Sequence, residues 1–232
     1  MDQLVIDEVM QVRDRLQEDR VKGVQDAVYY CYGGAVEGDI VEFGTMTGKT
    51  ARGIAVAMLA VEGQYGLPPK HLWLYDSFIG LPEPDRAPDL DSPHVQLGHW
   101  ASGGCQGLTM EELSAKVGEV LPKDRYSLVK GWYADTVPHI AKDQRFAMMH
   151  VDCDLYGSTM DCLVPVFEKG QVSRGCVISF DDWMCNQADP QFGERKALAE
   201  LIERFDMKTS PWNGYTWSGH RYIVHSYNGM PA

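Results

Sequence analysis

The chain has 232 residues, 44% of them hydrophobic and 23% charged, and a formal net charge of −12. Such a size and balance fit one soluble domain over 1–232 with a real core. The acidity argues against nucleic acid or an anionic membrane as partner, because phosphates would be repelled.

No apolar run approaches the ~20 residues that span a bilayer. The start, Met1-Asp2-Gln3-Leu4, lacks the basic and apolar regions of a signal peptide, so a cytoplasmic protein is expected. Residues 3–32 carry Leu4, Val5, Val9, Val12 and Leu16, then Val21, Val24 and Val28, at helical spacing with charges between. This predicts a pair of N-terminal amphipathic helices over 1–35, a feature that suits a homo-oligomer. A strand over Ile40–Phe43 then runs into Glu42-x-Gly44-x-x-x-Gly48, with a helix expected from Lys49 to Ala60. Gly44 permits close backbone approach, and Gly48 opens a helix whose N-terminus attracts an anionic group. The first glycine of a phosphate loop is absent, and the spacing is not Gly-x-Gly-x-x-Gly. The pattern is instead the one that holds S-adenosylmethionine.

The next strand, His71–Tyr75, ends at Asp76-Ser77, where an acid in an α/β nucleotide site accepts from ribose hydroxyls. Residues 80–108 hold Pro82, Pro84, Pro88, Pro93 and Gly103-Gly104. A long irregular segment of this kind reads as a lid or substrate loop, with His94, His99 and Trp100 as candidate substrate contacts. Thr109, followed by Glu111 and Glu112, starts a capped helix. A third strand, Tyr126–Lys130, leads to Gly131-Trp132-Tyr133, where Trp132 is placed to stack on an adenine.

Two short apolar runs end abruptly in acids. Phe146–Val151 precedes Asp152-Cys153-Asp154-Leu155-Tyr156, and Cys176–Phe180 precedes Asp181-Asp182. Such runs read as buried strands of a parallel sheet, whose ligands sit beyond the carboxyl ends. Four carboxylates around one point repel unless a cation or protons neutralise them. All-oxygen ligands suit Mg²⁺ first, with Mn²⁺ next. Helices are expected at Ser158–Lys169 and Pro190–Arg204, and a hairpin at Ser218-Gly219-His220 between β-type runs Tyr215–Trp217 and Arg221–His225. Six cysteines show no Cys-x-x-Cys spacing, which predicts reduced thiols and no zinc site. Cys105 has no visible His partner that would make it a nucleophile.

Five blocks carry a family resemblance: Val41-Glu42-Phe43-Gly44-Thr45, Asp76-Ser77-Phe78-x-Gly80-Leu81-Pro82, Gly131-Trp132-Tyr133-x-Asp135-Thr136-Val137-Pro138, Asp152-x-Asp154-Leu155-Tyr156-x-Ser158-Thr159 and Asp181-Asp182. In this order they resemble the macrocin-type (TylF/MycF/NovP-like) sugar O-methyltransferases of antibiotic biosynthesis, over nearly all of the chain beyond residue 35. The catechol-type Mg²⁺-dependent methyltransferases look like more distant relatives. The resemblance implies a Rossmann-like class I methyltransferase fold with a seven-stranded, mostly parallel sheet, and a need for S-adenosylmethionine and a divalent metal. Two departures stand out. Thr45-Met46-Thr47-Gly48-Lys49 replaces an aromatic-basic-Gly-Gly run, and Leu155 stands where the catechol-type enzymes carry a lysine.

The expected activity is Mg²⁺-dependent O-methylation of a sugar or polyol hydroxyl in a small, glycosylated natural product. Asp152, Asp181 and Asp182 are the expected metal ligands and Asp154 the base. Glu42, Gly44, Thr45, Met46, Gly48, Thr50, Asp76, Ser77, Gly131, Trp132 and Asp152 are the expected cofactor contacts, with Tyr156 near the substrate. Two alternatives share the acids: a catechol-like acceptor, or an Asp-x-Asp glycosyltransferase. A non-catalytic cofactor-binding subunit is disfavoured, since it has no need of a costly charged cluster.

Overall fold

In the computed structural model, which describes residues 3–231, the sheet has seven strands in the order β3-β2-β1-β4-β5-β7-β6. They are β1 (Asp39–Phe43), β2 (Leu72–Asp76), β3 (Tyr126–Lys130), β4 (Phe146–Val151), β5 (Val172–Phe180), β6 (Lys208–Tyr215) and β7 (Gly219–Ser226). The first five are parallel and β7 runs antiparallel to both its neighbours.

Strand alternation divides the core in two. Ile40, Met148 and Val177 face one layer, where they meet α1 (Gln3–Gly33), α2 (Lys49–Tyr65) and α5 (Met110–Gly118). Their neighbours Val41, Met149 and Ile178 face the other layer, against α7 (Tyr156–Glu168) and α8 (Gly193–Phe205), with Tyr133 of the short α6 (Tyr133–Thr136) packed on the same cluster. With both faces covered, the central strands must be apolar throughout, and every residue of β4 is buried. The order reverses between β1 and β4, so a crevice opens beyond their carboxyl ends.

Three expectations change. The N-terminal pair is one continuous helix, α1. No proline interrupts it, and Gly23 marks a close approach rather than a break: a Cβ there would lie 2.5 Å from the Tyr215 ring. The segment 80–108 contains two short helices, α3 (Ala87–Leu90) and α4 (Pro93–Gln96). Strand β6 ends at Tyr215, where the expected run Tyr215–Trp217 begins, so the hairpin turns at residues 216–218, and Gly219 and His220 already belong to β7. As an edge strand β6 needs no continuous apolar pattern.

Candidate active site

A cleft of about 620 Å³ lies at the β1/β4 switch point. Gly44 makes it possible: at φ 89° a Cβ would sit 1.9 Å from the Asp152 carbonyl oxygen, so only glycine lets these strand ends pass. Asp76 braces the turn after β1. Its Oδ2 accepts from the Thr45 amide (2.7 Å) and the Thr45 hydroxyl (2.8 Å), and its Oδ1 accepts from the Phe78 amide (2.7 Å). Gly44, Met46, Asp76, Ser77, Gly131 and Trp132 line this half of the cleft, with Asp152 at its floor.

Glu42, Thr45, Gly48 and Thr50 do not line it. Glu42 is fully buried because its register partner is His150, whose Nδ1 lies 3.0 Å from Glu42 Oε1. Thr45 is spent on Asp76. Gly48 and Thr50 belong to the start of α2, where the Gly48 Cα packs on Leu113.

The acids do not group as the sequence suggested. Asp152, Asp154 and Asp182 each bring one ligand atom within 4.8 Å of the others. Asp181 borders the same cleft but stands outside that group. Successive side chains at a strand end point to opposite sides, so Asp181 is angled differently from Asp182. Asp181 instead accepts from Arg20 of α1 at 3.0 Å and lies 3.8 Å from His150 Nε2, too far for a direct hydrogen bond. Asp154 takes the vacated place because the chain folds back after β4. Its φ is 60°, and the Leu155 amide donates to the Cys153 carbonyl (2.6 Å), which closes a three-residue turn.

Burial and mutual repulsion hold these carboxyls protonated far above the usual range. For Asp152 burial is followed by Asp181 and Asp182; for Asp182, by Asp154 and Asp181. Asp154 is pushed up to about 8 by burial, then by Asp152 and Asp181. Glu194, buried with Oε2 accepting from the Asp182 amide (2.9 Å), is raised as well by burial and Asp182. Burial disfavours charge on the His150 ring, but the flanking Asp181 and Glu42 outweigh it and raise the ring to about 10. The Asp182 Oδ2 atom is buried and has no hydrogen-bond partner. Three converging oxygens, an orphaned one and a surplus of negative charge fit a hard divalent cation. Burial of part of the Cys105 side chain and the neighbouring acids push its thiol up to about 12, which disfavours the thiolate a nucleophile needs.

The outer wall is the segment 80–108, and it is anchored. Leu81 and Gly104 pair through their backbones at its neck. Asp89, 2% exposed, accepts from the Tyr156 amide at 2.7 Å and the Gly157 amide at 2.8 Å, so it caps α7 from outside that helix. Arg86 reaches the Gly157 carbonyl (3.1 Å) and Asp161 (2.5 Å). The expected substrate contacts lie elsewhere. His94 exchanges hydrogen bonds with Asn186, Trp100 is buried against Leu155 and Cys185, and His99 packs beside His94. Tyr156 donates its hydroxyl to Glu200 (2.6 Å). None of the four lines the cleft. Arg20, Arg86 and Asp89 do, and no local pattern marks them.

Residues 10–214 match the family model described as macrocin-O-methyltransferase. The chain belongs to this family. It is therefore an S-adenosylmethionine-dependent O-methyltransferase, and the glycosyltransferase and non-catalytic alternatives are set aside. Among its relatives is mycinamicin III 3''-O-methyltransferase of Micromonospora griseorubida, 27% identical over 83% of this chain and 75% of the relative. Another is 8-demethyl-8-(2,3-dimethoxy-alpha-L-rhamnosyl)-tetracenomycin-C 4'-O-methyltransferase of Streptomyces olivaceus, 28% identical over 81% of this chain and 70% of the relative. The solved structure of the O-methyltransferase NovP shares the fold, with a TM-score of 0.69 and 23% identity over 90% of this chain and 80% of that one.

Proposed function

We propose that this enzyme methylates a hydroxyl on the sugar or polyol part of a small natural product, with a divalent cation held by Asp152, Asp154 and Asp182. The observation that carries the reading is the convergence of these carboxylates on the floor of the cleft that Gly44, Asp76 and Trp132 line. The Streptomyces olivaceus relative is named for O-methylation of a rhamnosyl-bearing tetracenomycin, and the Micromonospora griseorubida relative for O-methylation of mycinamicin III.

S-adenosylmethionine brings an electrophilic methyl group, and a bound cation lowers the pKa of a hydroxyl oxygen beside it. The chain's own work is alignment and proton transfer. Asp76, Ser77 and Trp132 hold the adenosyl part, and Gly44 lets it approach the backbone. Asp154, which lines the cleft beside the other two acids, would accept the hydroxyl proton once the cation's charge has favoured its ionised form. The anchored segment 80–108 shields the reacting atoms from water. Arg20 and Arg86, the basic side chains of the cleft, are each already paired with an acid, which supports a neutral acceptor.

A methyl-transfer screen of glycosylated natural products and catechols, with Mg²⁺, Mn²⁺ or a chelator, tests the reading. Turnover of a glycoside that stops in chelator and returns with Mg²⁺ is expected. Full turnover after dialysis against chelator would remove the cation, and transfer to catechols alone would remove the sugar.

A further inference from the structure

Helix α1 extends well beyond the body it packs on. Positions 3–15 are all exposed, and its first buried residue is Gly23. A helical overhang of about 3 turns is marginal in water without packing, since helices in proteins draw most of their stability from a buried apolar face. This overhang has such a face in Val5, Val9 and Val12, which stand exposed among the described residues. They are 43%, 56% and 47% exposed, and Leu16, half-buried, continues their line. The spacing of four, three and four residues is the heptad seam of a coiled coil, not the wider stripe of a helix lying on a sheet.

We propose that this half of α1 is a dimerisation helix that pairs antiparallel with the same segment of a second copy of the chain. Charge selects that occupant and that direction. A two-fold axis between Met10 and Gln11 sets Val9 against Val12 of the partner subunit and Val5 against Leu16 of the partner subunit. The residues that flank the seam on one side are then Glu8 and Arg15, and each faces its opposite: Glu8 meets Arg15 of the partner subunit, twice by symmetry. Shifting the pairing by one heptad brings Glu8 against Glu8, or Arg15 against Arg15, so the wrong registers are repelled. Across the other side, Ile6 meets the alkyl stem of Arg13 of the partner subunit. A membrane surface is a poorer occupant, because Asp7, Glu8, Asp14, Glu18 and Asp19 outnumber the arginines of this segment. The same helix carries Arg20 to Asp181, so pairing would also steady one wall of the cleft.

Sedimentation of the full-length protein at tens of micromolar tests the pairing, with circular dichroism as a check on folding. A dimer is expected, and Val9→Glu with Val12→Glu should raise its dissociation constant about 10-fold or more, since buried like charges oppose association. Glu8→Arg alone and Arg15→Glu alone should each weaken the homodimer. An equal mixture of those two single variants should form a heterodimer, because both of its flanking pairs become attractive. A monomeric wild-type protein, including one that binds anionic vesicles as a monomer, overturns the proposal. So does a dimer that survives Val9→Glu with Val12→Glu, or a mixture that shows no preference for the heterodimer.

Discussion

Asp154 is a non-glycine residue at φ 60°, a conformation that costs about 1–3 kcal/mol and persists where function needs it. The turn centred on it folds its carboxylate back toward Asp152 rather than letting the strand continue. Asp154→Gly should therefore raise the melting temperature of the cation-free protein, by releasing both backbone strain and acid repulsion, while methyl transfer disappears. A lower melting temperature would show that the turn is not strained. Asp154→Asn tolerates the left-handed conformation but loses a proton acceptor, so turnover should fall by ~10²–10⁴. Calorimetry with Mg²⁺ should show weaker binding as well, and unchanged affinity would take Asp154 out of the ligand set. Arg20→Ala removes the partner that hydrogen-bonds the buried Asp181 carboxylate and leaves only the more distant His150 ring, which should cost up to about 3–5 kcal/mol in chemical denaturation. A loss below ~1 kcal/mol would make it an ordinary surface pair. That acids gather beyond β4 and β5 was legible, because two apolar runs stop at them. Which carboxylates meet was not, since it turns on one φ angle and on the alternation of Asp181 and Asp182. Arg20 was invisible because its partner lies far along the chain, and only the packing of α1 joins them.

In segment 80–108 the irregular composition and the side-chain contacts point to different residues. Its prolines and glycines marked a loop over the cleft, and it does form the outer wall. The histidines drew attention as polar residues in a loop, yet His94 and Asn186 satisfy each other and Trp100 fills a small apolar cluster. The residue that matters to the element is Asp89, which gives the α7 amides the acceptors their own helix lacks. Asp89→Ala should cost about 0.5–2 kcal/mol, as lost caps do. The loss should be local. Amides across 80–104 and the first turn of α7 should exchange faster by mass spectrometry while those of β4 keep their protection. Uniform acceleration through the sheet would mean that Asp89 supports the whole fold instead. The strands themselves were legible because both faces of the parallel sheet are covered, so each central strand is a plain apolar run. The start of β6 was not, because an edge strand carries no such run. The single helix α1 was read as two because the gap between Leu16 and Val21 resembles a break, whereas the buried stretch from Gly23 onward shows where the body begins.

At the scale of the whole molecule, a chain of net charge −12 concentrates further negative charge around one cleft, and its stability should respond to pH and cation together. Asp154 titrates at about 8 in the folded protein, against an ordinary carboxylate value near 4 in the unfolded chain. Between those values the folded state holds a proton that the unfolded state has lost, so stability falls as pH rises through that window. Asp152, Asp182 and Glu194 are shifted in the same direction and act with the same sign. His150, raised to about 10, contributes stability that is complete below its ordinary pKa and lost as pH climbs through the folded value, which again lowers stability upward. The cation-free protein should therefore melt at a progressively lower temperature from about pH 5 to about pH 8. Mg²⁺ should raise the melting temperature more at the upper end, because a cation that binds only the folded, ionised cluster stabilises by mass action. Scanning calorimetry in matched buffers, with chelator or with Mg²⁺, reads both effects without any acceptor. A flat or rising profile in chelator would mean that the acids ionise freely in the folded state, and an equal Mg²⁺ effect at both ends would mean that the cation binds somewhere other than this cluster.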